Sequence, residues 1–104
     1  MKHIIRYALD LELEQGKTNP KTPDSQLDSP KIIQIGVVFF NSLTKEVLGR
    51  YKWYINIGVP LSSLIKKLTG ITDDDLRHGC SIQEAYDMLL RLIVEHNANR
   101  RPVS

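Results

Sequence analysis

Apolar and polar residues alternate from His3 to Leu13. Ile5, Tyr7, Leu9, Leu11 and Leu13 hold the odd positions, while Arg6, Asp10 and Glu12 share the even face with Ala8. A period of two predicts a strand. The stretch EQGKTNPKTPDSQLDSP, residues 14–30, contains three prolines and a single large apolar residue, Leu27. It predicts a Pro-rich loop insertion longer than ordinary connections, either mobile or a lid beside whatever the first strand carries. KIIQIGVVFF, residues 31–40, is β-branched and aromatic on both faces, the pattern of a central strand buried on both sides. NSLTK then supplies turn residues, and EVLGRYKWYINI sets Val47, Tyr51, Trp53, Ile55 and Ile57 against Arg50, Lys52 and Asn56. Three successive strands predict an antiparallel meander.

After Pro60 the period changes. Leu61, Leu64, Ile65 and Leu68 fall at helical spacing, and Gly70 is placed to end that helix in a left-handed conformation. Thr72 reads as the N-cap of a short helix with Asp73, Asp74 and Asp75 in its first turn and Gly79 closing it. Ser81 and Glu84 form a capping box for a third helix, with Ile82, Ala85, Tyr86, Leu89, Leu90, Ile93 and Val94 as one apolar stripe. The fold class is therefore α/β, sheet first and helices second.

A chain of 104 residues with 41% apolar content suffices for one compact domain. The formal charge of +2 is too small to indicate a nucleic-acid partner by field strength, so any such partner has to be argued from a site. The single cysteine, Cys80, excludes an internal disulfide framework and fits a reducing cytoplasm, and no nucleophile signature surrounds it. Arg6, Asp10 and Glu12 interrupt the first apolar stretch, which excludes a signal peptide or membrane span there.

Two acidic groups are candidates for chemistry. Asp73 to Asp75 sit at a helix start, where the macrodipole and unpaired amides favour carboxylates without any ligand. Asp10 and Glu12 differ, because residues i and i+2 of a strand leave the same face about 6.6 Å apart along the chain. Carboxylates so placed can hold divalent ions about 3.5 to 4 Å apart, the spacing used in phosphodiester hydrolysis. Hard oxygen ligands select Mg²⁺ or Mn²⁺. Asp-x-Glu alone is equally compatible with the solvated face of a strand.

The order of segments adds to this. YALDLELEQ, IIQIGVVFFN, an aromatic strand, LIKKLTGITDDDLRHG and SIQEAYDMLLRLI together resemble, over nearly the whole chain, the first half of the DEDD family of 3′-to-5′ exonucleases. The resemblance implies a ribonuclease-H-like fold, a single-stranded DNA or RNA 3′ end as partner, and two catalytic Mg²⁺ or Mn²⁺ ions held by Asp10 and Glu12. It also implies that Leu68 and Ile71 of the LTGIT segment touch the terminal nucleotide, although Leu68 can equally be core and Gly70 a helix stop. Family members often follow Asp-x-Glu with small or hydroxylated residues and a glycine, whereas this chain has Leu13, Glu14 and Gln15 before Gly16. The resemblance still implies substrate binding at Leu11 and Leu13 of the strand, through their backbone.

The family also uses two further aspartates and a His or Tyr general base. Beyond Glu95 the chain has only HNANRRPVS, in which no aspartate follows His96 and Asn97. His96 reads as a helix C-terminal residue, and the basic pairs Lys66–Lys67 and Arg100–Arg101 as solvated surface or phosphate contacts. Residues 1–104 are thus expected to be the amino-terminal portion of a longer exonuclease, with later strands missing and little activity alone. The rival expectation is a non-catalytic nucleic-acid-binding or protein-interaction module on the same scaffold. Oligomeric state is left open by the sequence.

Overall fold

The computed structural model describes residues 4–96 and Ala98. Strands β1 (Ile5–Glu14), β2 (Lys31–Asn41) and β3 (Val47–Tyr54) precede helices α1 (Ser63–Thr69), α2 (Asp73–Arg77) and α3 (Ile82–Glu95). The sheet has the order β1-β2-β3 with both pairings antiparallel, the meander the alternation predicts. His3, Asn97, Asn99, Arg100 and Arg101 lie outside the described residues.

One face of the sheet carries the core. Tyr7, Val37 and Phe39 pack with Leu89, Ile93 and Ala98, while Ile35 and Ile55 pack with Ala85. A second cluster, Ile33, Leu61, Ile65, Ile71 and Leu76, closes the end of the sheet where α1 and α2 sit. Helix α3 begins with the expected capping box, Ser81 and Glu84 each accepting from the other's backbone N–H. Of its apolar stripe, Ala85, Leu89 and Ile93 are buried, but Ile82, Tyr86, Leu90 and Val94 stay exposed. Leu9 and Leu11, expected on the covered face of β1, are exposed with them, because α3 covers only part of that face among the described residues. Likewise β2 is buried on one side only: Gln34, Gly36 and Val38 on the other side are half-buried.

Two bulges adjust the register. Ile33 is an extra residue in β2 opposite the step from Glu12 to Leu13, and its carbonyl instead accepts from Ile55 N at 2.9 Å. Leu48 is an extra residue in β3 opposite Phe39 and Phe40, so Val47 falls out of phase and is exposed rather than packed with Tyr51 and Trp53. At the other end of β3, Ile55 forms a parallel bridge with Cys80, and Cys80 N donates to Tyr54 O at 3.0 Å. Gly79 permits this approach: a Cβ there would stand 2.4 Å from the Tyr54 carbonyl oxygen. His78 caps α2, and Gly79 serves the close approach rather than the helix end.

The Pro-rich loop is tied down. Glu14 belongs to β1, so the loop proper is 15–30. Lys17 N donates to Leu27 O at 2.8 Å, the Thr22 hydroxyl donates to Gly16 O at 2.7 Å, and Thr22, Ser25 and Leu27 are buried. Asp24 reaches α1, accepting from Ser63 N and Ser63 Oγ at 2.8 Å each.

His96 ends α3 as read from the sequence, and its ring does more. It stacks on Phe39 with centroids 4.3 Å apart, and its Nε2 is hydrogen-bonded to the Tyr51 hydroxyl at 3.1 Å. No helix among the described residues is long and apolar enough to cross a membrane.

Candidate metal-binding site

The even face of β1 is where carboxylates accumulate. Asp10 pairs with Gly36 and Glu12 with Gln34 across the ladder. Asp10 is exposed and Glu12 half-buried. Among the described residues neither carboxylate has a hydrogen bond or an ion pair.

This sets them apart from most acids of the chain. Asp28 pairs with Lys17, Asp73 with Lys66 and Asp74 with Arg77. Asp75 and Glu84 complete capping boxes, and Asp87 accepts from Gln83. Glu46, beside the β2–β3 turn, and Glu95, at the end of α3, are also uncommitted, but they lie at different elements and do not share a strand face. Asp10 and Glu12 are thus two uncommitted carboxylates on one face, which a hard divalent cation would relieve of mutual repulsion.

The surroundings leave room. A concavity of about 300 Å³ beside Asp10 is lined by Gln34, Gly36, Val38, Arg50 and Lys52. A Cβ at Gly36 would meet Asp10 Cβ at 3.9 Å, so a larger residue would project next to that carboxylate. Neither Arg50 nor Lys52 has a carboxylate partner among the described residues; the Lys52 ammonium instead lies 5.2 Å from the centre of the Tyr54 ring. No group of three or more His, Cys, Asp or Glu side chains gathers for a metal among the described residues. The pair still fits Mg²⁺ or Mn²⁺, which typically bind one or two carboxylates and take the remaining oxygens from water and phosphate.

The next acid of the alternation, Glu14, has a different fate. It is fully buried and accepts from Ser62 N at 2.5 Å, from Ser62 Oγ at 3.0 Å and from Gln15 N at 2.9 Å. Ser62 therefore occupies the N-cap position of α1 without capping it through its side chain. Glu14, Asp24 and Ser62 form an arrangement missed in the sequence reading; continued alternation after Glu12 was the only local sign of it.

The LTGIT segment divides. Gly70 takes the left-handed conformation expected, with φ 74°, and its N–H donates to Lys66 O. Leu68 is 70% exposed, whereas Ile71 is 4% exposed inside the second core cluster. Of the two expected substrate contacts, Leu68 is available to a ligand; Ile71 is held in the core because the chain turns inward after Gly70. On β1, Leu11 is exposed and Leu13 half-buried. Lys66 is engaged by Asp73 at 2.6 Å, while Lys67 is exposed.

The acidic run of α2 is structural. Asp73 is held below the ordinary carboxylate range of 3.8 by the Leu61 N–H it accepts and then by the Lys66 ammonium. Asp24 is lowered in the same way, first by the Ser63 N–H. A carboxylate lowered by folding contributes stability above its ordinary pKa, which is lost as pH falls through the lowered value. The urea midpoint should therefore hold near neutrality and fall below about pH 4, with a shallower fall for Asp73→Asn; an unchanged acid slope in that variant would remove Asp73 from the account. Burial, then the Glu84 carboxylate, raises the Cys80 thiol, which agrees with a packing role.

A three-stranded meander whose first strand bears paired free carboxylates, followed by helices on one face, is the arrangement expected of the first half of a ribonuclease-H-like fold. The exonuclease family, of RNase T type, matches residues 9–100, and the chain belongs to it. Among curated proteins, the PolC-type DNA polymerase III of Caldanaerobacter subterraneus subsp. tengcongensis is 32% identical over 74 residues, covering 66% of this chain and 5% of the polymerase. A full-length 3′-exonuclease crystal structure matches with a TM-score of 0.76 at 23% identity, over 93% of this chain and 31% of that one. The nuclease domain of 3′hExo, a DEDDh family member bound to rAMP, matches with a TM-score of 0.76 at 22% identity, over 93% of this chain and 47% of that one. The chain thus spans less than half the length of these relatives. The structural likeness bears out the ribonuclease-H-like fold.

Proposed function

We propose that the protein is a metal-dependent 3′-to-5′ exonuclease that hydrolyses phosphodiester bonds at single-stranded DNA or RNA 3′ ends. The observation that carries this reading is the pair Asp10 and Glu12, on one strand face, both free of partners, in a chain of the exonuclease family. Asp10 and Glu12 would hold two Mg²⁺ or Mn²⁺ ions. When bound, such ions lower the pKa of water and neutralise charge developing on phosphate oxygens. The carboxylates fix where that chemistry occurs, because β1 is braced along its length by β2. Exposed Leu68 offers an apolar surface to a terminal base, and the Leu11 and Leu13 backbone lies beside the carboxylates.

The test is digestion of single-stranded DNA and RNA carrying a 5′ label by the full-length protein. Stepwise shortening from the 3′ end in Mg²⁺ or Mn²⁺, stopped by chelator, is the expected result. An oligonucleotide that is retained but never shortened would overturn the enzyme reading in favour of a binding module.

A further inference from the structure

The start of α1 is held in an unusual way. Three consecutive backbone N–H groups, those of Leu61, Ser62 and Ser63, each donate to a carboxylate from a different element: Asp73 of α2 at 2.7 Å, Glu14 of β1 at 2.5 Å and Asp24 of the loop at 2.8 Å. The middle one differs from its neighbours. Asp24 is exposed and Asp73 only half-buried, but Glu14 and Ser62 are both 0% exposed. A carboxylate removed from water is tolerated only where its oxygens are satisfied, and both Glu14 oxygens are. Glu14 is also the next residue on the strand face after Asp10 and Glu12, about 6.6 Å beyond Glu12 by strand rise. From Ser62, seven helical residues span roughly 10 Å to the turn that displays Leu68.

We propose that Glu14 is a positioning residue: its buried carboxylate hangs α1 from the end of the metal-binding strand and so sets where Leu68 stands relative to Asp10 and Glu12. This rests on the exonuclease reading of those carboxylates. Glu14 itself touches neither metal nor nucleotide; both of its oxygens are occupied by Ser62 and Gln15. Its role is to couple two surfaces that are 58 residues apart in sequence, Asp10 and Leu68 (68 minus 10). Cutting that coupling should leave the carboxylate pair able to bind metal and leave Leu68 exposed, but the two would no longer be registered to one substrate.

The experiment compares Mn²⁺ affinity with the affinity of the Mn²⁺-loaded full-length protein for a single-stranded oligonucleotide. It uses Glu14→Ala, Glu14→Gln, Leu68→Ala and the double variants. Glutamine keeps a carbonyl for Ser62 N–H, and the Ser62 hydroxyl can turn to accept from the new amide, but the Gln15 N–H then loses its acceptor, so Glu14→Gln should fold and weaken oligonucleotide binding less than Glu14→Ala does. In Glu14→Ala, Mn²⁺ affinity should stay within about twofold while oligonucleotide affinity falls about tenfold or more. The effect of Leu68→Ala should then shrink in the Glu14→Ala background, because the two sites act as one unit. Additive effects, or an oligonucleotide affinity untouched by Glu14→Ala, would overturn the positioning role. If Glu14→Ala does not fold, Ser62→Ala, which removes only the 3.0 Å hydroxyl contact, replaces it and is judged by the same coupling. Asp10→Ala is the control for the underlying reading: unchanged Mn²⁺ affinity there would bring down the site itself, whereas its loss beside additive Glu14 and Leu68 effects would bring down only the positioning role.

Discussion

Asp10→Ala should reduce nuclease turnover by on the order of 100- to 1000-fold while leaving the folded protein nearly as stable as before. On the proposed function Asp10 would hold a metal at a developing charge, so its removal forfeits several kcal/mol of transition-state stabilisation, and each 1.36 kcal/mol is about tenfold in rate. The same side chain does nothing for the fold: it is exposed and has no hydrogen bond or ion pair among the described residues. Replacements at such positions usually shift stability by no more than about 0.5 kcal/mol. Losing one of two adjacent like charges could even stabilise β1. Steady-state turnover and urea unfolding of the same preparation check both halves. Retained metal-dependent turnover would remove Asp10 from the site, and a collapse of stability would show that it is structural after all.

The opposite separation is expected for Phe39→Ala, the largest stability effect in the molecule. Phe39 is 0% exposed and its ring meets Tyr7 at 5.8 Å, Tyr51 at 6.0 Å and His96 at 4.3 Å between centroids. It therefore joins all three strands to the end of α3. Truncating a buried phenylalanine costs about 3–5 kcal/mol, a large share of the 5–15 kcal/mol that holds a typical domain together. With a urea dependence of about 1–3 kcal/mol per molar, the unfolding midpoint should fall by roughly 2 M. A fall of less than about 0.5 M would mean that the aromatic cluster is not the centre of the core.

These two residues illustrate what the sequence makes legible. The alternation around Asp10, the apolar run around Phe39, the N-cap at Thr72 and the capping box at Ser81 are local patterns, and the structure forms β1, β2, α2 and α3 where they fall. What escaped depends on partners distant in the chain. The bulges at Ile33 and Leu48 exist only relative to the facing strand. Leu9, Leu11, Tyr86 and Leu90 read as core from periodicity, yet periodicity reports a face and not whether another element covers it. Ile71 and Leu68 looked alike in the LTGIT segment, and the left-handed turn at Gly70 sends one inward and leaves the other outside. The loop read as mobile or lid-like because nothing within residues 14–30 announces that Asp24 will meet Ser63, which is 39 residues on. In the sequence Glu14 stands out only as the start of the loop and a departure from the family pattern, because its partner Ser62 lies 48 residues away.

The central claim is that Asp10 and Glu12 of β1 form a metal site. It is tested most directly by titrating Mn²⁺ into the parent protein and into Asp10→Ala and Glu12→Ala, following the loss of the free-ion paramagnetic resonance signal. The account predicts saturable binding by the parent that either substitution weakens at least about tenfold, with Glu46→Ala unchanged. Equal Mn²⁺ binding by all four proteins would contradict it.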